Sequence, residues 1–348
     1  MAAVGRRIGL LGGSFDPVHQ GHIHVAQTAC RQLHLDQVWF LPTVETPLKD
    51  RGLAPFSERV MMLRMALAPF RRFKVSLVET KNTLPSYSIN TARRLHAMYP
   101  DDTFFWLIGS DWVAGLKEWK DIEQLRRLVT FACLRRDEDD DLQDVLTITG
   151  AIHPASSTAI RNGDFRYMPD CEKAFIMEKG LYDLTIAQSL VTAKRWPHVQ
   201  SVAKLCGEIA AANGLDGRQA QRAGLYHDCA KRMTPEQMEP WMAFCASERQ
   251  HSQNVNIWHQ YVGAALMSRT YKMRDGRILT AIGHHVLGDC REPLAMVVYA
   301  ADKLDPSRGY NSAEQIALCK HDLNRGFSTV LSEQQEYLQQ HGVIDKEG

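Results

Sequence analysis

The sequence predicts an α/β half built on a parallel sheet, followed by an all-helical half. Three observations lead there. The chain has 348 residues, more than the ~250–300 at which one hydrophobic core stops growing, so two domains are expected. From Arg7 to about Leu134 short apolar runs alternate with helical patterns, as in strands joined by crossover helices. After about Asp183 the apolar residues recur mainly at helical spacing. The boundary is placed between residues 185 and 186, giving domains 1–185 and 186–348.

In chain order, RIGLLGG (7–13) reads as the first strand, HIHVAQTACRQL (22–33) as a helix and QVWFLPT (37–43) as the second strand. RVMMLRMAL is helical, FKVSLVE is a strand, INTARRLHAMY is helical, and TFFWLIGS and LVTFACLR are strands. Such sheets bind ligands at the carboxyl ends of their strands, so the chemistry is expected after RIGLLGG and TFFWLIGS. The run RDEDDDLQD (136–144) reads as a solvated loop, because clustered like charges repel. Helices are expected in LTIAQSLVTAKRW, VQSVAKLCGEIAAANG, RQAQRAGLYHDCAKRM, YVGAALMSRTY, ILTAIGHHV and LAMVVYAADKL, with Gly214 as a C-terminal stop. A terminal helix and tail are expected from Phe327 to Gly348.

Apolar residues make up 45% and charged residues 23%, which excludes a disordered or collagenous chain. The 41 basic and 40 acidic residues nearly cancel, so no global field draws the protein to nucleic acid or membrane. Eight scattered cysteines form no C-x-x-C pair, which suits a reducing compartment. No apolar run reaches the ~18–20 residues of a membrane span, and the first residues lack the order of a signal peptide. A cytoplasmic protein is expected, and a homo-oligomer is compatible with the sequence.

The first strand runs into SFDPVHQGHIHVAQ. Gly12 and Gly13 let backbone approach a ligand, and the following helix N-terminus offers N–H groups to an anion. His19 and His22, three apart, can present two imidazoles to phosphate oxygens. SSTAIR (156–161) is a second anion cradle: a serine- and threonine-rich helix start followed by the guanidinium of Arg161.

GGSFDPVHQGH (12–22) resembles the H-x-G-H element of the nucleotidyltransferases, in the form found in nicotinate-nucleotide adenylyltransferases. LPTVETPLKD, PSYSINTARRL, LIGSD, LKEWKDIEQL, SSTAIRNG and FIMEKGLYD extend the likeness in the family's order. The resemblance covers residues 7 to about 183 and implies a Rossmann-like nucleotidyltransferase domain. It implies that His19 and His22 hold the phosphates of ATP, and Lys49 the polyphosphate or the mononucleotide phosphate. Ser157, Thr158 and Arg161 would hold phosphates from the far side. Gly12, Gly13, Ser14, Phe15 and Gly109 would line the nucleotide site, Asp111 would contact ribose or orient the site, and Trp119 would stack on the pyridine. Backbone around Pro85, Ser86 and Tyr87 would read the pyridine carboxylate, and magnesium would arrive with ATP. The chain departs from the family where CLRRDEDDD replaces the usual R-P-G. Sister enzymes acting on nicotinamide mononucleotide or phosphopantetheine are the alternatives, and the phosphopantetheine enzyme lacks the closing GLY.

In the helical half, His198, the pair His227–Asp228 and Asp302 form an H…HD…D series. Imidazoles and carboxylates from separate helices can close an oxygen and nitrogen shell around a divalent metal. The series resembles the HD phosphohydrolases over residues 190–310. HQYVGA, AIGHH and YAADKLDPSR together most resemble bacterial symmetrical diadenosine tetraphosphate hydrolases. That likeness implies iron or manganese at the four ligands, with His259 and His285 serving a second metal or phosphate. Lys231, four after His227 on one helical face, and Arg308 would steady substrate phosphates. Where the family reads H-T-T-G, this chain reads His285-Val286-Leu287-Gly288. A nucleotide-sensing regulatory module, or hydrolysis of a different nucleotide, is therefore the alternative for this half. Expected partners are ATP, nicotinate mononucleotide and a dinucleoside polyphosphate, with no nucleic acid and no membrane.

Overall fold

The computed structural model describes residues 5–44, 52–81, 87–134, 145–245, 254–309 and 311–341, apart from the side chains of residues 110 and 111. The chain divides into two compact units, Met1–Glu172 and Lys173–Gly348. This division falls earlier than the one placed after residue 185.

The first unit contains β1 (Arg7–Gly13), α1 (Gln20–Gln32), β2 (Gln37–Pro42), α2 (Phe56–Leu67), β3 (Phe73–Val75), α3 (Ser88–Met98) and β4 (Thr103–Gly109). It continues with α4 (Ser110–Val113), α5 (Ile122–Leu128), β5 (Thr130–Leu134), β6 (Leu146–Ile148), α6 (Ser157–Arg161) and the start of α7 (Asp170–Lys179). The six strands are all parallel, in the order β3-β2-β1-β4-β5-β6. Strands buried on both faces read as continuous apolar runs, which is why each long strand was visible in the sequence. On one face alternate residues Ile8, Leu10, Trp39, Leu41, Phe104, Trp106 and Phe131 form a core with Ile89, Ala92 and Leu95 of α3 and Leu125 of α5. The order reverses beside β1, so the carboxyl ends of β1 and β4 flank the crevice where such sheets bind ligands.

Three details differ from the sequence reading. β3 is only Phe73–Val75, because Val78–Lys81 turns into a short 3-10 helix. α5 occupies the residues before Thr130, leaving Leu128 helical. β6 was not anticipated: its three residues include exposed Leu146 and Thr147, too short and too polar for a strand signal. The acidic run 136–144 lies outside the described residues.

The second unit is helical among its described residues: α8 (Asp183–Leu190), α9 (Trp196–Ala212), α10 (Gly217–Tyr226), α11 (Pro235–Met242), α12 (Trp258–Arg269), α13 (Gly276–His284), α14 (Pro293–Lys303), α15 (Ala313–His321) and α16 (Leu323–Gln340). The expected stop after α9 is present. Gly214 adopts φ +70, and Leu215 N–H donates back to Ala210 O at 2.9 Å, closing the helix end. α10 packs on α9 through Gly224, where an added Cβ would lie 2.7 Å from Ala203 Cα and 3.0 Å from Cys206 Sγ. α10 stops at Tyr226, so His227 and Asp228 sit in the turn beyond it. Lys231 therefore does not share a helical face with His227, and its position has to be explained by the turn. No described helix is long and apolar enough to cross a membrane.

Candidate active sites

In the first unit, the β1–α1 loop folds His19 into the N-cap of α1, three residues before His22. His19 Nδ1 accepts from Gly21 N–H at 3.1 Å, and His22 Nδ1 accepts from His19 N–H at 3.2 Å, a capping box built from imidazoles. An imidazole that accepts at Nδ1 carries its proton on Nε2 when neutral. Both rings are thereby set as Nε2–H donors, tilted 33° to one another with centroids 3.8 Å apart. Burial, helped by His153, holds His19 down at about 4, so it is uncharged at neutral pH.

These rings open on a cavity of about 500 Å³ also lined by Gly12, Gly13, Ser14, Gly109, Trp119 and Ser157. Phe15, Tyr87, Thr158 and Arg161 are not among its lining residues. Phe15 is 1% exposed at φ +46, its ring edge-on to His22 at 5.0 Å, so it props the histidine. Tyr87 is exposed with Lys120 Nζ 4.4 Å from its ring centre. Trp119 meets Trp106, Trp112 and Phe131 edge-to-face. Ser156, not Ser157, caps α6, accepting from Ala159 N–H at 3.0 Å. Ser157 Oγ donates to Pro17 O at 2.8 Å, and Arg161 donates to Asp16 O and to Thr158 Oγ1, so this cradle is tied to the β1–α1 loop. Lys49, Pro85 and Ser86, and the side chain of Asp111, lie outside the described residues.

Several cavity residues escaped the sequence reading: Glu79, His24, Trp106, Trp112, Ile152 and His153. So did Arg59, 1% exposed. Its guanidinium donates to Ala54 O, Ser14 O, Thr43 O and Val44 O at 2.6–3.3 Å, binding the loops after β1 and β2 together.

In the second unit, His198 on α9, His227 and Asp228 after α10, His259 on α12, His285 after α13 and Asp302 on α14 converge. Each of three imidazoles directs Nδ1 to an acceptor: His198 to Asp305 Oδ2 at 2.6 Å, His227 to Gly224 O at 2.7 Å and His285 to Ile282 O at 2.8 Å. The Nε2 atoms therefore face inward without their protons once Nδ1 carries one, ready as metal ligands. Asp228 Oδ2 lies 3.1 Å from His227 Nε2 and 3.6 Å from His198 Nε2, while Oδ1 lies 3.6 Å from His259 Nε2 and 3.7 Å from His285 Nε2. One carboxylate thus faces two groups of ligands. Donor atoms of His198, His227 and Asp302, and of His227, Asp228 and His285, fall within 4.8 Å of one another.

Among the described residues the buried His198 Nε2, His227 Nε2 and Asp228 Oδ1 have no hydrogen-bond partner, a costly state for polar atoms unless a further group binds them. Burial opposes charge on Asp228, but His227 and His285 outweigh it and hold the carboxyl well below its usual range. Burial likewise opposes charge on Asp302, outweighed by Lys303 and His198. This set fits a divalent metal. Around it opens a cavity of about 740 Å³ with Lys194, Arg195, Lys231, Lys303 and Arg308 in its lining.

Lys231 Nζ lies 3.4 Å from the His259 ring, and Arg308 donates to Asp302 Oδ1 at 2.7 Å. Arg195, which pairs with Asp228, and Asp305 were missed in the sequence. His284 turns away to Asp289 at 2.7 Å, leaving His285 as the inward member of the pair. Val286 lines the cavity, and the left-handed Gly288, at φ +65, lies where a Cβ would meet the Tyr299 ring at 2.7 Å.

A Cytidylyltransferase-like family matches residues 10–163, and the HD domain family matches residues 195–307. A Mycoplasma pneumoniae protein named probable nicotinate-nucleotide adenylyltransferase/Ap4A hydrolase is 31% identical over 337 residues, covering 92% of this chain and 97% of its own. A Mycoplasma genitalium protein of the same name is 30% identical, covering 94% and 97%. A Shouchella clausii protein named probable nicotinate-nucleotide adenylyltransferase is 46% identical over 38% of this chain and 69% of its own. With both halves matched in order, and relatives similar along almost their whole length, the chain belongs to the nicotinate-nucleotide adenylyltransferase/Ap4A hydrolase family.

Proposed function

We propose that the first half transfers the adenylyl group of ATP to nicotinate mononucleotide, and that the HD half hydrolyses diadenosine tetraphosphate symmetrically to two ADP. In the first reaction the mononucleotide phosphate attacks the α-phosphorus of ATP in line and pyrophosphate departs. The protein's work is to align the two nucleotides and stabilise the charge that moves onto the leaving group. His19 and His22 donate Nε2–H bonds to the phosphates, and Lys49, Ser157, Thr158 and Arg161 complete the phosphate shell. Trp119 supports the pyridine side, and magnesium accompanies ATP. Replacing His22 by Ala should abolish pyrophosphate formation, and near-normal turnover would contradict the phosphate-holding role.

In the HD half, His198, His227, Asp228 and Asp302 would hold iron or manganese, and His259 and His285 would serve a second ion or a phosphate. A divalent ion supplies there the Lewis acidity that makes water a competent nucleophile near neutral pH. Arg195, Lys231, Lys303 and Arg308 surround the phosphate chain with positive charge, and Asp305 fixes the His198 ring. The observation that carries this reading is the inward, buried set of His198 Nε2, His227 Nε2 and Asp228 Oδ1, which among the described residues lack hydrogen-bond partners. The test is diadenosine tetraphosphate with iron or manganese, products resolved by chromatography. Two ADP, lost in Asp228→Ala, are expected; AMP plus ATP would reject the symmetrical reaction. Val286 in the cavity lining, where the resembling hydrolases carry a threonine, supports a second reading: absence of cleavage with either metal would leave this half a hydrolase of a different nucleotide or a nucleotide-sensing module.

A further inference from the structure

The nucleotide cavity of the first unit contains a polar side chain that phosphate chemistry leaves unused. Glu79, on the 3-10 turn after β3, is 5% exposed and lines the cavity with Ser88, Trp106, Trp112 and Trp119. Its Oε2 is buried and, among the described residues, has no hydrogen-bond partner. An unpaired buried carboxyl oxygen is costly, and a ligand group entering the cavity can supply its partner. Burial pushes the Glu79 carboxyl up to about 7, so around neutral pH it can donate as well as accept.

Two features narrow the partner. α3 begins at Ser88 with no cap hydrogen bond from the Tyr87 side chain and no acidic residue in its first turn, and a helix start of this kind favours an anion. Glu79 lines the same cavity as Trp106, Trp112 and Trp119, and three indoles are the lining an aromatic ring calls for. An aromatic ligand with an anionic substituent fits this lining and helix start together.

We propose that Glu79 is a specificity-determining residue whose carboxyl hydrogen-bonds the ring carboxylate of the pyridine mononucleotide, selecting the acid over its amide. The proposal rests on the adenylyltransferase reading. A protonated carboxyl facing a carboxylate makes a charge-assisted bond, stronger than its bond to a neutral carboxamide. The α3 N-terminus adds to the same discrimination.

Steady-state kinetics of the full chain, with ATP and either nicotinate or nicotinamide mononucleotide, test this. Glu79→Ala should raise KM for nicotinate mononucleotide at least about tenfold and lower the acid-over-amide preference by the same factor, with KM for ATP within about twofold. Glu79→Gln, which keeps an N–H donor, should stay within about threefold of wild type. If the alanine variant does not fold, Glu79→Leu fills the space without a donor and gives the same comparison. An equal rise of KM for both mononucleotides, no rise for either, or a Gln variant as impaired as Ala would overturn the assignment. A wild-type chain that turns over neither mononucleotide would overturn the adenylyltransferase reading and this proposal with it, before any variant is compared.

Discussion

Asp305 offers a test of the metal site that needs no nucleotide. Its side chain is wholly buried, with Oδ2 2.6 Å from His198 Nδ1 and Oδ1 accepting Ser307 N–H at 3.0 Å. The carboxylate therefore aims the ring and keeps the proton on Nδ1, leaving Nε2 for an ion. Removing such an orienting partner typically costs ~10–100-fold in metal affinity, or about 1.4–2.7 kcal/mol. Asp305→Asn keeps an acceptor oxygen but loses the charge, so it should fall at the low end. Asp305→Ala leaves Nδ1 unpaired beside a void and should fall at the high end. Competition of Mn²⁺ between the full chain and a fluorescent chelator measures the affinity, and circular dichroism reports whether each variant folds. A folded alanine variant with affinity within about twofold of wild type would refute the argument that Asp305 sets His198 for metal binding.

Three further outcomes are expected. Gly224→Ala should lower stability by about 1–3 kcal/mol through overpacking of α10 on α9, where the new Cβ would lie 2.7 Å from Ala203 Cα; an unchanged melting temperature would contradict the close approach. Arg59→Met should leave the carbonyls of Ser14 and Thr43 without their donor and raise KM for ATP with a smaller change in kcat, so unchanged KM would show that the loops hold their form without it. Glu79 gives a pH signature, since its carboxyl rises from 4.5 to about 7 in the folded chain. The folded state then binds more protons than the unfolded one, so its contribution is fully present below about pH 4.5 and is lost as pH rises through 7, up to ~3 kcal/mol in total. Urea midpoints of wild type and Glu79→Gln should diverge between pH 5 and 8, with the glutamine variant gaining; parallel curves would contradict the raised value.

The sheet was legible because parallel strands buried on both faces need unbroken apolar runs, and RIGLLGG, QVWFLP and TFFWLIG are such runs. β6 pairs only with β5 at the sheet edge, and its short, half-polar LTI carries no pattern. The metal-site histidines and aspartates could be picked out because their order along the chain is distinctive even when helix ends are misjudged. The end of α10 was one misjudgement: LYHDCAK contains no breaker, so nothing local marks the turn that places Lys231. Asp305 sat inside the quoted YAADKLDPSR, but an aspartate before proline reads as a turn residue, and only the fold brings it to His198. Glu79 and Arg59 were invisible for the opposite reason. Single charged residues near element ends are ordinarily solvated, and their burial is a tertiary fact.

The imidazole capping box at the start of α1 has a consequence for turnover. Lysines or arginines in those places would grip phosphate oxygens with full charge and grip free pyrophosphate harder still, since cleavage adds charge to it. Neutral Nε2–H dipoles, fixed by the backbone bonds at Nδ1, attract a phosphate without a net cation. Their hold grows little as the leaving group becomes more anionic in its free form. On the proposed reading, the two rings guide the triphosphate into line without adding a net cation to the grip on departing pyrophosphate, which is left to Lys49 and Arg161.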